Sequence, residues 1–106
     1  MLELKGTEKQ VKWANDIRET VLKGLIGYKE FEEQIPNERA RRRRVKFVEK
    51  AKNAIETIQN ETTSKYFIDN FAFILRNLDS YKIEAEIREI DVNYLIGCAV
   101  LEKFAE

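Results

Sequence analysis

The chain has 106 residues, of which 36% are charged and 43% hydrophobic, and its 19 basic residues balance its 19 acidic residues. This length is typical of one domain, so we expect a single helical domain over residues 1–106. The zero net charge argues against a protein that is basic throughout, and no run approaches the ~18 apolar residues of a membrane span. The absence of histidine removes the usual general base and the commonest metal ligand, so we predict a protein that is not an enzyme and uses no metal or other cofactor.

The cysteine and the first residues indicate the compartment. The single cysteine, Cys98, has no partner for an internal disulfide, and its setting, LIGCAVL, is typical of a small core side chain. The first ten residues, MLELKGTEKQ, lack the apolar stretch of a signal peptide. We therefore expect a cytoplasmic protein.

The first long segment, KGTEKQVKWANDIRETVLKG, has the pattern of a capped amphipathic helix. Thr7 and Gln10 have the spacing of a capping box, in which each side chain bonds the other residue's backbone amide. Gly24 and Gly27 are positions at which such a helix is expected to end. One apolar face, expected to be buried, comprises Trp13, Ala14, Ile17, Val21, Leu22 and Leu25.

The second helix is predicted in the segment NERARRRRVKFVEKAKNAIETIQN, with Asn37 as its N-cap. Between residues 39 and 52 it carries eight basic residues and one acidic residue. Its apolar residues recur at spacings of three and four: Ala40, Phe47, Val48, Ala51, Ala54, Ile55 and Ile58. The pattern therefore predicts a helix with one buried stripe and a strongly basic exposed surface.

The arginines of this helix cannot all point the same way, because each residue advances about 100° around the axis. Arg42 is predicted to face solvent, whereas Arg44 falls within the apolar stripe. An unpaired charge there is costly, so Arg44 should either extend its guanidinium group to solvent or meet a carboxylate, for which Asp69 in the apolar third segment is the natural partner. The predicted structural polar core comprises Arg18, Arg44, Asp69 and Asn70.

The third segment, SKYFIDNFAFILRNL, is apolar on most sides and is expected to lie in the middle of the domain. The last segment, DVNYLIGCAVLEKFAE, is predicted to form a helix capped by Asp91. Residues 81–90 between them fit either a helix or a half-buried strand, for which only residues 1–4 would offer a pairing strand. The predicted fold class is mainly α, a compact single domain of four or five helices, and the alternative adds a minor two-stranded β element.

The basic residues of the second helix are the candidate binding site. Like charges at this density oppose helix formation, and phosphates or an acidic protein surface would relieve the repulsion. Since the aromatic residues lie on predicted core faces, contacts to nucleic acid would be mainly to the backbone. A solvated face without a partner is the alternative interpretation. The candidate residues are Arg39, Arg41, Arg42, Arg43, Lys46 and Lys50.

Two stretches of the chain resemble a family of short proteins encoded by phages and plasmids of Gram-positive bacteria. The first is GTEKQVKWANDIR at residues 6–18, whose matching positions include Trp13, Ala14, Ile17 and Arg18. The second is an aromatic-Ile-Asp-Asn element at residues 67–70, although the family usually has Trp and Arg where this chain has Phe67 and Phe71. The resemblance implies a mobile-element origin and a bacterial host cell, and proteins of this kind often act by binding.

The alternative function is an anti-defence inhibitor, similar to an anti-CRISPR protein, that binds a bacterial immune effector. An acidic strip between residues 79 and 91 would then be the partner face, with five acidic and two basic residues. Its candidate residues are Glu84, Glu86, Glu89 and Asp91. The sequence leaves open whether the partner is DNA, RNA, a nucleoprotein or a protein, and which oligomeric state the chain adopts.

Overall fold

Helices account for nearly all of the chain that the structure describes. The structure is a computed structural model that describes residues 2–34 and 41–105, and within these ranges five helices form one globule of 48 × 29 × 23 Å. The helices are α1 (Glu8–Glu33), α2 (Arg41–Asn60), α3 (Ser64–Arg76), α4 (Leu78–Arg88) and α5 (Val92–Ala105). The predicted fold class, a mainly α domain of four or five helices, is confirmed. None of the helices in these ranges has both the length and the apolar character of a membrane span.

Helix α1 begins at the predicted capping box and runs farther than the sequence suggests. Thr7 Oγ1 accepts a hydrogen bond from the Gln10 amide at 3.2 Å, and Gln10 Oε1 accepts one from the Thr7 amide at 3.0 Å. The prediction that the helix ends at Gly24 or Gly27 is wrong, because it continues to Glu33. A helix of 26 residues is about 39 Å long, so α1 spans most of the longest dimension of the globule.

The glycines of α1 and α5 serve close packing between these two helices. A Cβ atom added at Gly97 would overlap the carbonyl oxygen of Gly24 and approach the Cβ of Tyr28 to 2.6 Å. A Cβ added at Gly27 would lie 2.5 Å from the Cβ of Asn93. The two backbones therefore approach each other because these positions carry no side chain.

Helix α1 is the centre of the fold, since it packs on α2, α3 and α5. The prediction that the third segment occupies the centre is wrong, because α3 buries one side, including Phe67 and Phe71, and exposes the other. The prediction that Trp13 is buried is also wrong, because 42% of its surface is exposed. The buried face of α1 is centred on Ala14 and Ile17, and Trp13 lies about 100° away from Ala14 around the axis.

Helix α4 (Leu78–Arg88) covers most of residues 81–90, so the helical alternative for this segment is correct and the strand is not. Ala85 is buried, and the left-handed conformation of Glu89 (φ 55°) ends the helix. The N-terminal residues instead meet the α2–α3 connection. The Lys5 amide donates to the Thr62 carbonyl at 2.7 Å, and the Ser64 amide donates to the Lys5 carbonyl at 3.0 Å. In the described ranges this contact is a single isolated bridge, not a two-stranded element.

Candidate nucleic-acid interface

Helix α2 lies on one side of the globule with one face buried. Ala51, Ala54 and Ile58 are almost fully buried against the rest of the domain, and the helix packs on α1 and α5. Phe47 and Val48 continue this stripe toward the N-terminus, where they are half-buried. The opposite side of α2 therefore faces outward along its whole length, and its N-terminal half contributes the smaller share of the core.

Four cations form a stripe that we call the basic face, which runs along one flank of α2 between its outward side and its buried stripe: Arg42, Arg43, Lys46 and Lys50. At about 100° per residue they fall within a sector roughly 100° wide, and they extend over about 12 Å of the axis. Three of them are exposed and Lys50 is half-buried. Two arginines of the run therefore share a surface with the two lysines, because Arg42 lies four residues before Lys46 and Arg43 lies three residues before it.

The basic face is not neutralised by acids within the described part of the chain. Four ion pairs in the described ranges connect residues four apart in the same helix: Lys23–Glu19, Lys29–Glu33, Lys65–Asp69 and Arg88–Glu84. None of these pairs includes a residue of the basic face. Arg43 instead lies over the ring of Phe47, with its guanidinium carbon 5.2 Å from the ring centroid, which positions the side chain and leaves its charge available.

The other arginines of the run have different positions. Arg39 lies outside the described residues, and Arg41 begins α2 with a side chain that is also outside them. Arg44 is half-buried and lines a groove of about 560 Å³ between α1 and α2, together with Glu33 and Glu49. Arg44 thus points toward the domain and Arg42 away from it.

The expected polar core is placed differently by the structure. Asp69 is exposed and pairs with Lys65 at 3.1 Å, so the prediction of a buried Asp69 is wrong: it lies on the outer side of α3. Asn70 is half-buried and its Nδ2 donates to the Tyr66 carbonyl at 2.8 Å. Arg18 is buried and donates to the Leu2 carbonyl at 2.6 Å and to Asn15 Oδ1 at 2.7 Å, which fastens the N-terminal residues to α1.

The acidic candidates are all exposed, and two of them have structural partners. Glu84 pairs with Arg88 at 3.3 Å, and Asp91 Oδ1 accepts the Asn93 amide at 2.7 Å, which is the predicted cap of α5. The side chains of Glu86 and Glu89 form no ion pair or cap with other described residues, and they carry the remaining charge of the strip. Two of the four candidate carboxylates are therefore already engaged within the protein.

A buried polar cluster at the end of α1 was not predicted from the sequence. Glu32 is 1% exposed, and its Oε2 has no hydrogen-bond partner among the residues that the structure describes. Tyr28, one turn earlier, stacks on Tyr94 with ring centroids 5.4 Å apart. The sequence does contain a signal for this cluster: Tyr28 and Glu32 continue the spacing of three and four residues that marks the buried face of α1 up to Leu25. These side chains extend the α1–α5 contact beyond the predicted end of the helix.

Burial also governs the ionisation of this cluster. It is the largest cause that raises the pKa of Tyr28 to about 12, followed by the negative charge of Glu32. Burial likewise raises the pKa of the Cys98 thiol, so the nucleophilic thiolate is disfavoured at neutral pH. This agrees with a structural role for Cys98. Among the described residues, no group of three or more acidic or cysteine side chains is arranged to hold a metal ion.

The raised pKa of Tyr28 predicts a specific loss of stability in alkali. An unfolded tyrosine ionises near pH ~10, so the protonated phenol stabilises the fold fully below that pH and loses this contribution as the pH rises through the folded value. The free energy of unfolding of the wild type should therefore fall more steeply between about pH 10 and 12 than that of Tyr28→Phe. Urea unfolding across this range measures the difference. Parallel pH profiles would contradict the assignment, since Tyr94 and Cys98 titrate in both proteins.

In comparisons with protein-family models, with curated proteins and with solved structures, no match to this chain was found. The interpretation of the basic face accordingly depends on its own geometry and charge.

Proposed function

We propose that this protein is a non-enzymatic binding protein that docks onto nucleic acid, or onto a nucleoprotein, through the basic face of α2. The observation that carries the proposal is the clustering of four cations in one sector of the helix, without ion pairs to acids in the described residues. A regular row of phosphates supplies the opposite charge that this surface lacks.

The geometry favours contacts to the sugar-phosphate backbone. One side of α2 is occupied by the domain, so the helix can lie along a phosphate row but presents only its outer side to a groove. Phe47, the aromatic residue of α2, is half-buried beneath Arg43 and does not offer a platform for stacking bases. Phosphate contacts position a protein without identifying bases, so we expect weak sequence preference.

The salt dependence of binding tests this proposal. Each neutralised phosphate contributes about −0.9 to the slope of log K against log salt concentration on B-DNA, so four contacts give a slope of roughly −3.6. The affinity for random-sequence duplex DNA should then fall about a hundredfold between ~50 and ~200 mM salt. Fluorescence anisotropy with labelled DNA and RNA duplexes measures both values. Binding that is absent at the lower salt, or equal at both, would refute phosphate recognition by this face.

We also propose that the protein originates from a phage or another mobile element and acts in the cytoplasm of a bacterial host. The support is the resemblance at residues 6–18 and 67–70. Two of the resembling positions have structural roles here, since Thr7 caps α1 and Arg18 fastens residue Leu2. Genes for replication, packaging or defence inhibition beside this one would support the origin, and a setting of housekeeping genes would argue against it.

The second candidate function is the inhibition of a bacterial immune effector, for which the acidic strip would be the docking face. In its favour, α4 exposes carboxylates beside two large apolar side chains, Ile83 and Ile87. This mixture suits a protein surface. If the candidate is correct, replacing Glu84, Glu86 and Glu89 by lysine should abolish interference with an RNA-guided nuclease in a plasmid-cleavage assay. Undiminished interference would remove the strip from consideration.

A further inference from the structure

Glu32 is a buried acid beside the aromatic contact between α1 and α5. It is 1% exposed, and its Oε2 accepts no hydrogen bond from the described residues. It lies four residues after Tyr28 on α1, and Tyr28 stacks on Tyr94 of α5 with ring centroids 5.4 Å apart. A buried charge is costly without a counter-charge, so a cation close to this cluster would stabilise the ionised carboxylate.

Arg43 of the basic face lies against the same group of aromatic side chains. Its guanidinium carbon is 5.2 Å from the centroid of the Phe47 ring. Phe47 and Tyr28 line one cavity of about 200 Å³, whose other side is lined by Cys98 and Glu102 of α5. Arg43 therefore lies at the junction of α2 with the α1–α5 contact, and Phe47 connects it to Tyr28.

Glu32 and Arg43 act in opposite directions on the same two phenols. Burial is the largest cause that raises the pKa of Tyr28 and the pKa of Tyr94, and Glu32 raises both values further, whereas Arg43 lowers both. These opposite effects place the carboxylate and the guanidinium group near the same pair of rings. The packed interior between them excludes salt ions, so an attraction across it is screened less than one between two exposed charges.

We propose that Glu32 regulates the basic face by attracting Arg43, which weakens the hold of this guanidinium group on a phosphate. The proposal rests on the nucleic-acid binding proposed above and identifies the acid that limits it. Lys46 and Arg42 lie about 60° and 100° farther around the axis from the buried stripe of α2, and Lys50 lies about 10 Å farther along it. Arg43 is therefore the cation through which Glu32 acts, and Glu32 is a positioning residue that itself touches no phosphate.

Neutralising Glu32 should strengthen the binding of nucleic acid. Glu32→Gln removes the charge and keeps the shape of the side chain, and Glu32→Met is a second neutral variant that leaves no polar atom buried. Fluorescence anisotropy with random-sequence duplex DNA should show an affinity roughly three- to tenfold higher for both variants than for the wild type, as expected for a charge several ångströms from Arg43. Glu32→Asp retains the charge and should not show this gain.

A double-mutant cycle shows whether the gain in affinity depends on Arg43. Arg43→Gln should weaken binding by itself, and the addition of Glu32→Gln to it should then change the affinity little. The matched control is Glu30→Gln, which causes the same change in net charge. Glu30 is exposed and lies about 160° away from Glu32 around the axis of α1, so its replacement should raise the affinity less.

Urea unfolding gives the same cycle without nucleic acid. Arg43→Gln should lower the urea midpoint more in the wild type than in the Glu32→Gln or Glu32→Met protein, because an attraction to Glu32 is lost only in the wild type. The contact between Arg43 and Phe47 is lost in every background and cancels in the comparison. Equal shifts of the midpoint would overturn the proposal, whatever the binding measurements show.

The two cycles separate this proposal from the proposed function. If Glu32 and Arg43 are coupled in unfolding but the neutral variants bind DNA as the wild type does, the regulation by Glu32 is overturned and nucleic-acid binding stands. A gain in affinity that persists in the Arg43→Gln background would also overturn it, since the acid would then repel phosphates directly. DNA binding that is absent from the wild type and from every variant would overturn both.

Discussion

Gly97→Ala is expected to lower the free energy of unfolding by about 2–3 kcal/mol, as overpacking does in a well-packed core. A methyl group at this position overlaps the carbonyl oxygen of Gly24 and lies 2.6 Å from the Cβ of Tyr28. Backbone atoms cannot move aside as a flexible side chain can, so α1 and α5 must separate. In a helix without close neighbours, replacing glycine by alanine stabilises the helix by about 1 kcal/mol. A loss of stability in Gly97→Ala would therefore point to the close contact between α1 and α5. Urea unfolding at neutral pH measures the change.

The matched control for this substitution is Asn53→Ala. Asn53 is exposed in the middle of α2, so its replacement should change the free energy of unfolding by less than about 0.5 kcal/mol. A Gly97→Ala protein as stable as the wild type, or more stable, would show that α5 does not approach α1 as closely as described. That outcome would also undermine the position of α2, because α2 packs on both helices.

The existence of the helices could be predicted because their signals are local. The capping box of Thr7 and Gln10 lies within four residues, and the buried stripe of α2 follows from spacings of three and four. The role of Gly97 could not be predicted in this way, because it depends on Gly24, which is distant in sequence. A glycine that breaks a helix and a glycine that admits a neighbouring backbone have the same local sequence signal.

Burial was harder to predict than helicity, because a neighbour decides which part of an apolar stripe is covered. Trp13 and Ile87 both lie in apolar patterns, yet both are exposed. On α4 the small residue Ala85 is buried, whereas the larger Leu78 and Tyr81 are half-buried. Asp69 illustrates the same limit, since an acid in an apolar segment suggested a buried partner for Arg44. Its actual partner is Lys65, one turn away on the outer side of α3.

The candidate site was predictable in its position on the chain and only partly in its extent. The spacing of four between Arg42, Lys46 and Lys50 places them on one side of a helix. The structure exposes Arg42 and Lys46, whereas Lys50 is half-buried and lines a cavity with Cys98 and Glu102. The cation–π contact of Arg43 with Phe47 required the side-chain geometry. The acidic strip proved less regular, because Asp91 is engaged in capping α5.

Reversing three charges of the basic face is expected to remove most nucleic-acid affinity. The change is Arg42→Glu, Arg43→Glu and Lys46→Glu, all at exposed positions. Losing three phosphate contacts should reduce the magnitude of the salt slope by about 3 and lower the affinity for random duplex DNA at least a hundredfold at ~50 mM salt. Repulsion between the new carboxylates and phosphates adds to the loss. Fluorescence anisotropy titrations at several salt concentrations give both quantities.

The matched control carries the same change in net charge at exposed lysines outside α2: Lys9→Glu, Lys12→Glu and Lys82→Glu. If phosphates bind at the basic face, this control should retain a salt slope close to that of the wild type, since long-range repulsion is screened beyond about 10 Å at 0.1 M salt. Equal losses in the two triple variants would indicate a response to net charge alone, and intact binding in the α2 variant would place the contact elsewhere. Circular dichroism should show the same helical content in both triple variants. The α2 variant loses the Arg43–Phe47 contact at the surface, but the buried stripe of Ala51, Ala54 and Ile58 stays in place.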